Sequence, residues 1–291
     1  METRHLHYFL TVAKLGNITR AAEQLHITQP TLSRQLIDLE KQLGTSLLIR
    51  GKRQITLTAA GVLFQQRASQ ILAILDKTRN DLLETKEIPA GTVTIGVVET
   101  TIAQFLAKKI ADFHDHYPQI RIDLYNADGD DNREKLDRGE LDMALLIEPV
   151  EAAKYHFKRL GPTERWGIIV RKNDRLARRK FVTRHDILGR KTMMSRRAIV
   201  SSSLFDWLHI QANDLDIVST HNLLTNALPL LAQQHLMTIA VEGALTIRPV
   251  SNLTFVPFSP NHVSHHVLVW RKNVLLSAAA QLFLDFLLGE G

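Results

Sequence analysis

Thr19 to Leu43, TRAAEQLHITQPTLSRQLIDLEKQL, restricts the fold of this chain more than any other stretch. Its apolar residues recur at helical spacing on both sides of one short polar interruption, which predicts two helices joined by a tight turn. Thr19 is placed to cap the first, which runs to Leu25, and Thr28 to cap the second, because a hydroxyl just ahead of a helix accepts from amides its first turn leaves unpaired. Pro30 then falls in the opening turn of the second helix, where it has no intrahelical N–H to lose. Leu32, Leu36, Leu39 and Leu43 recur at spacings of four, three and four. That spacing makes one apolar stripe that has to be buried, and Gly44 stops the helix.

The opposite face of the second helix carries Arg34 and Lys41, with Thr28, Gln29, Pro30, Thr31 and Ser33 around its amino end. Such a helix can enter a DNA major groove: Gln suits adenine, Arg suits guanine or phosphate, and Ser suits either. The spacing alone fits an ordinary amphipathic helix pair equally well. Charge and context favour nucleic acid. Residues 1–58 hold eight basic groups against four acids, a net of +4 out of +6 for the whole chain. The following LLIRGKRQITLT predicts a β-hairpin with Arg50, Lys52 and Arg53 at its tip, a basic wing able to touch phosphates or a minor groove.

LHYFLTVAKLGNITRAAEQLHITQPTLSRQLIDLEKQLGTSLLIR, with the closing LTAAG, resembles the winged helix-turn-helix of LysR-type transcriptional regulators, and the layout of the rest of the chain resembles theirs too. The resemblance implies DNA-contacting roles for Gln29, Pro30, Ser33, Arg34 and Arg53. It also implies a dimer, often assembled into tetramers, and a carboxy-terminal effector domain resembling a periplasmic binding protein. The expected partners are therefore double-stranded operator DNA, a small-molecule effector, further copies of the chain and RNA polymerase. No cofactor and no metal are expected.

Composition bounds these expectations. A chain of 291 residues that is 45% hydrophobic should fold as two or three units. No run approaches the roughly 20 apolar residues that span a bilayer, and the amino end lacks a signal-peptide core, so a cytoplasmic location is expected. Without cysteine there are no disulfides, thiol nucleophiles or thiolate metal sites. A pI near 9.6 favours an acidic partner without distinguishing nucleic acid from a membrane surface.

In chain order, a first helix is expected over His5–Leu15. After the wing, Thr58 should cap a long helix from Ala59 to about Lys86, with Leu57 and Val62 as a hydrophobic staple. Phe64, Ala68, Ile71, Leu75, Thr78 and Leu82 form a heptad seam on it, which predicts a dimerisation helix that sets two recognition helices apart; a single helix lying on its own chain is the alternative. IPAG, residues 88–91, reads as a hinge. This gives a DNA-binding domain over 1–58, a linker helix over 59–88 and an effector domain over 89–291.

Beyond the hinge, strands alternate with helices, which demands a parallel α/β sheet. The strands are TVTIGVV, QIRIDLY and LDMALLI, separated by helices over Ile102–His116 and Asp130–Arg138. A second set runs WGIIVR, a helix near Ser203–Ala212, DIV, a helix over Leu223–Gln234 and LMTIAV. HVLVW and a last helix, Leu276–Leu288, should return to the first lobe. Lobe I then covers about 89–161 and 266–291, lobe II about 162–265, with two crossing strands and a cleft between them.

Ligands of open α/β sheets settle beyond the carboxyl ends of strands. This nominates Glu99, Thr100, Thr101 and Ile147 in the first lobe. In the second it nominates Ser201, Ser202 and Ser203, read as preceding a helix start, and Thr225. Each hydroxyl could equally be a plain helix cap. Thr100 and Thr101 match a frequent effector-contacting position by resemblance. Residues 112–151 carry a net of −8 and residues 165–197 a net of +10. This can be solvated surface, a field drawing anionic effectors to the cleft, or attraction between lobes of different subunits. HVSHH, residues 262–266, lacks the nearby carboxylate and the convergent ligands zinc requires, and reads as an interlobe or surface loop ahead of a strand. Where the family commonly shows a glycine-rich turn, this chain has Gln233, Gln234 and His235. A transporter's solute receptor would have no use for the first 60 residues, and no acid-base or nucleophile set points to an enzyme.

Overall fold

The computed structural model describes residues 1–51, 54–83, 90–151, 153–233 and 235–289. Lys52 and Arg53 of the expected wing tip, residues 88 and 89 of the hinge, Lys86 and Gln234 lie outside the described residues, as do the side chains of Arg50 and Leu82. The chain divides into two compact units, Met1–Leu83 and Glu84–Gly291.

The first unit comprises α1 (Thr3–Leu15), α2 (Ile18–Gln24), α3 (Gln29–Leu43), the hairpin β1 (Leu48–Arg50) and β2 (Ile55–Leu57), and α4 (Ala59–Leu83). Phe9, Val12, Ala21, Leu32, Leu36 and Leu39 make its core. α2 departs from the expected start: Asn17, not Thr19, accepts from the Arg20 amide, and Thr19 lies inside the helix. Leu43 departs as well. It is 38% exposed at the last position of α3, so the buried stripe is Leu32, Leu36 and Leu39. Oε1 of Glu40 accepts from the amides of Leu47 and Leu48, tying the wing to α3.

α4 starts as expected, with the Thr58 hydroxyl accepting from the Gly61 amide at 2.9 Å. The expected staple does not form, because Val62 is exposed and Leu57 packs instead on the common core with Ala60 and Phe64. The heptad seam is split. Phe64 meets Phe9 edge to face at 4.9 Å, and Ala68 and Leu72 pack on Leu6 of the same chain, so Phe64 and Ala68 are spent inside this unit. Ile71 and Leu75, with Ile74, remain exposed.

In the second unit β3 (Gly91–Val97), α5 (Ile102–His116), β4 (Ile120–Asn126), α6 (Gly129–Asp137) and β5 (Met143–Ile147) form the expected βαβαβ, with β3 parallel to both neighbours. The long β6 (Tyr155–Arg171) pairs with β11 (Val263–Arg271) over its first part and with β9 (Met237–Val241) and β10 (Leu253–Pro257) over its last. It is therefore the one strand that runs through both lobes among the described residues; the return is the short stretch 258–262 rather than a second through-strand. The second lobe is completed by α7 (Arg184–Ile187), β7 (Lys191–Ser195), α8 (Ala198–Leu208), β8 (Asp216–His221), α9 (Leu228–Gln233) and α10 (Gly243–Thr246). β7 lies between β8 and β9 and parallel to both. α11 (Ala278–Leu288) returns to the first lobe, where Phe283 meets Phe113 of α5 edge to face at 4.8 Å.

Candidate functional site

On the first unit, α3 turns its amino end to solvent. The Thr28 hydroxyl caps it, Thr31 hydrogen-bonds back to Thr28, and Thr28, Gln29, Pro30, Thr31 and Arg34 are exposed while Ser33 is half-buried. Leu32 and Leu36, fully inside, anchor that face. The result is a short rod with donors and acceptors free to meet base edges and phosphates.

On the second unit, a cavity of about 110 Å³ opens between the lobes. The first lobe supplies Val98, Glu99, Thr100, Asp128, Gly129 and Ile147; the second supplies Trp166, Ser195, Arg197, Val200, His221 and Leu224 among others. Three of the residues nominated from sequence, Glu99, Thr100 and Ile147, thus line it. Thr101 and Thr225 sit outside the lining and hold acids in place. Thr101 donates from its amide and hydroxyl to Glu164 at 2.8 and 2.6 Å, and Thr225 donates from its hydroxyl to Glu99. Ser201, Ser202 and Ser203 lie within α8, which begins at Ala198, so they do not precede a helix start and do not line the cavity. The expected helix start was misplaced because Ala198, Ile199 and Val200 carry no cap signal of their own.

Thr100 is buried and already partnered. Its Oγ1 lies 2.6 Å from Nε2 of His266, whose Nδ1 lies 2.6 Å from the Pro162 carbonyl. A carbonyl can only accept, so Nδ1–H donates to it and, in the neutral ring, Nε2 accepts from Thr100. The hydroxyl proton of Thr100 is therefore committed, and at the cavity wall this residue can only accept. Burial holds His266 below the usual histidine range, against the Pro162 hydrogen bond and the nearby Glu164 charge. His266 belongs to β11 rather than to a loop, and His262 stacks on Trp207 at 4.4 Å.

Glu164 is a second hub. Besides Thr101, it accepts from the Gly243 amide at 2.9 Å. A Cβ on Gly243 would fall 2.2 Å from Oε1 of Glu164, so only glycine fits here. The charged segments also meet across the cleft of one chain. Arg196 reaches Asp128 at 3.0 Å and Asp131 at 2.9 Å, and Arg197 reaches Asp130 at 3.3 Å. Asp128 additionally accepts from the amides of Asp130 and Asp131, capping α6.

Arg197, His221, Glu164 and Asp128 were not nominated from sequence. The runs of opposite charge were the one signal for Arg197 and Asp128. Nothing marked His221, which lies at the end of β8, or Glu164, in the polar half of β6.

A winged helix-turn-helix unit followed by a two-lobed α/β unit with an interlobe cavity defines the class. Residues 3–62 match the family described as bacterial regulatory helix-turn-helix protein, lysR family, and residues 86–291 match the LysR substrate binding domain, so the chain belongs to the LysR family. It is 41% identical to the Hca operon transcriptional activator HcaR of Escherichia coli (strain K12) over 55% of this chain and 54% of that one. It is 35% identical to the regulator BsdA of Bacillus subtilis (strain 168) over 55% of each. The chain spans about half the length of these curated relatives. Full-length CbnR, solved in complex with its target DNA, superposes with a TM-score of 0.78 over 100% of both chains at 21% identity, a likeness of fold. No helix among the described residues is long and apolar enough to cross a membrane.

Proposed function

We propose that this protein is a sequence-specific DNA-binding regulator of transcription whose two-lobed unit senses a small-molecule effector. The observation that carries the reading is the exposed Gln29–Arg34 face of a leucine-anchored α3, in a chain whose residues 3–62 fall in a regulatory helix-turn-helix family. HcaR's description as an operon activator and CbnR's complex with DNA support it by relation. Thr28, Gln29, Pro30, Thr31, Ser33 and Arg34 read bases and phosphates, and Arg50, Lys52 and Arg53 of the wing add phosphate contacts. Domain limits of 1–58, 59–88 and 89–291 fit this division of labour. The chain works as a dimer or tetramer in the cytoplasm, with RNA polymerase as the downstream partner.

The effector, an anionic metabolite in this reading, occupies the interlobe cavity, with Thr100 and Ile147 in its walls and Thr101 and Thr225 setting the acids beside it. Coupling to DNA can be no larger than the difference in effector affinity between the two arrangements of the lobes. A gel-shift assay on the DNA upstream of the protein's own gene tests the reading. The expected result is a discrete complex that survives competitor DNA and changes with metabolite; binding that ignores sequence would overturn it.

A further inference from the structure

We propose that the interlobe cavity takes a small monocarboxylate with an apolar body, its carboxylate received by Nη2 of Arg197 and by an N–H of His221. The proposal rests on the cavity being a ligand site, and it assigns the ligand's class.

Arg197 is 5% exposed, yet its Nη2 has no hydrogen-bond partner among the described residues. Its Nε reaches Oδ1 of Asp130 at 3.3 Å, and that oxygen is shared with Arg133 at 3.2 Å, so its charge is only partly answered. A guanidinium can only donate, and burying one of its N–H groups unpaired is costly unless an acceptor arrives. Both ring nitrogens of His221 are likewise buried without a partner among the described residues. Register puts the two residues together. His221 ends β8 opposite Ser195 of β7, and Arg197 follows Ser195 by two residues. Burial pushes the His221 imidazole down to about 4, so at neutral pH it offers one N–H and no charge. Two unpaired donors on one wall, the cationic Nη2 and a single imidazole N–H, match the two oxygens of a carboxylate.

The remaining lining fixes the rest of the ligand. Val98, Ile147, Val200, Leu224, Ile239 and Val241 form an apolar enclosure. The acids beside them are occupied: Glu99 accepts from Asn126 and Thr225, and Asp128 from Arg196 and the α6 amides. They have no need of a cation, but they repel a second anionic group, which selects against dicarboxylates. At about 110 Å³ the space is smaller than the roughly 150 Å³ that accommodates benzene in an engineered cavity, so the body that fills it is a short branched chain, and a single ring is the upper limit, seated partly in the cavity mouth.

Calorimetry on the full chain at neutral pH tests this. The acids are 3-methylbutanoate, cyclohexanecarboxylate and benzoate; their neutral amides and the dicarboxylates succinate and adipate are the contrasts. At least one acid should bind with a Kd below about 1 mM, with its amide and both dicarboxylates at least about tenfold weaker. Arg197→Gln should abolish the preference for the acid. Should that variant fail to fold, His221→Leu serves, because it removes an unpaired imidazole: its melting temperature without ligand should hold or rise while acid affinity falls about tenfold. Amides binding as well as acids, acid binding unmoved in both variants, or no binding by any acid would each overturn the proposal. An acid that binds as described yet leaves DNA binding unchanged would instead overturn the effector reading and spare the ligand class.

Discussion

The guanidinium of Arg197 occupies the place a side chain on Gly129 would need: a Cβ built there would fall 2.5 Å from Cζ and 2.7 Å from both terminal nitrogens. Gly129 opens α6 in the first lobe and Arg197 immediately precedes α8 in the second, so one glycine sets how closely the lobes approach.

Gly129→Ala should therefore lower the melting temperature. Glycine to alanine at a compatible helical position ordinarily stabilises by about 0.4 to 1 kcal/mol through the unfolded chain, so the sign of the change is decisive. Thermal unfolding of the full chain reads it; a rise would show that Arg197 moves aside freely.

Arg34→Ala should leave the fold intact, because the side chain is exposed on α3. Specific binding should weaken by about 1 to 3 kcal/mol. Titration against the upstream DNA measures this, and unchanged affinity would remove Arg34 from the contacting set.

The split seam of α4 separates stability from association. Phe64→Ala should destabilise the first unit by about 2 to 3 kcal/mol, since it removes the edge-to-face contact with Phe9 and leaves a void beside Leu6 and Leu10. Ile71→Ser with Leu75→Ser should instead spare folding and weaken self-association, both residues being exposed in the single chain. Sedimentation velocity and urea unfolding of both variants distinguish the two roles, and a double variant that still forms full dimers would rule out this stripe as the dimer contact.

His221 makes stability depend on pH. Its pKa is about 4 when folded against a model value of 6.5, so between those values the unfolded chain binds more protons. Its contribution is fully present above pH 6.5 and is lost as pH falls towards 4, with a limiting slope of roughly 1.4 kcal/mol per pH unit. His262 and His266 are lowered by burial too and add slope of the same sign. Urea unfolding between pH 4.5 and 7 (roughly the range where the histidine titrates) should show a shallower slope for His221→Leu than for the parent; parallel slopes would mean the imidazole is solvated.

Much of the architecture was legible where periodicity and end signals agreed. α5 runs over Ile102–His116 as read, because its apolar positions repeat cleanly, and β5 stands out as a short wholly apolar run. The first half of β6 was not legible: HFKRLGPTER is polar and mostly exposed, and it belongs to a strand only because β11 pairs with it. β7, KTMMS, has Thr192 as its single β-branched residue, too weak a strand signal by itself, and owes its place to β8 and β9 on either side. The same dependence explains the site: Thr100 and Ile147 lie at or just past strand ends visible in the sequence, whereas the helix expected from Ser203 begins five residues earlier, at Ala198, and Ser201, Ser202 and Ser203 fall inside it.

By itself the sequence determined the order of elements, the buried leucine stripe of α3 with its exposed polar start, and the alternation that demands a two-lobed sheet, because each is a local matter of spacing, capping and charge. Tertiary structure alone decided that Arg197 rests on Gly129, that His266 takes the Thr100 hydroxyl from 166 residues away, and that Phe64 and Ala68 are spent on α1. Such pairings join residues far apart in the chain, and whether a polar atom keeps a free valence is settled only when every neighbour has found its partner.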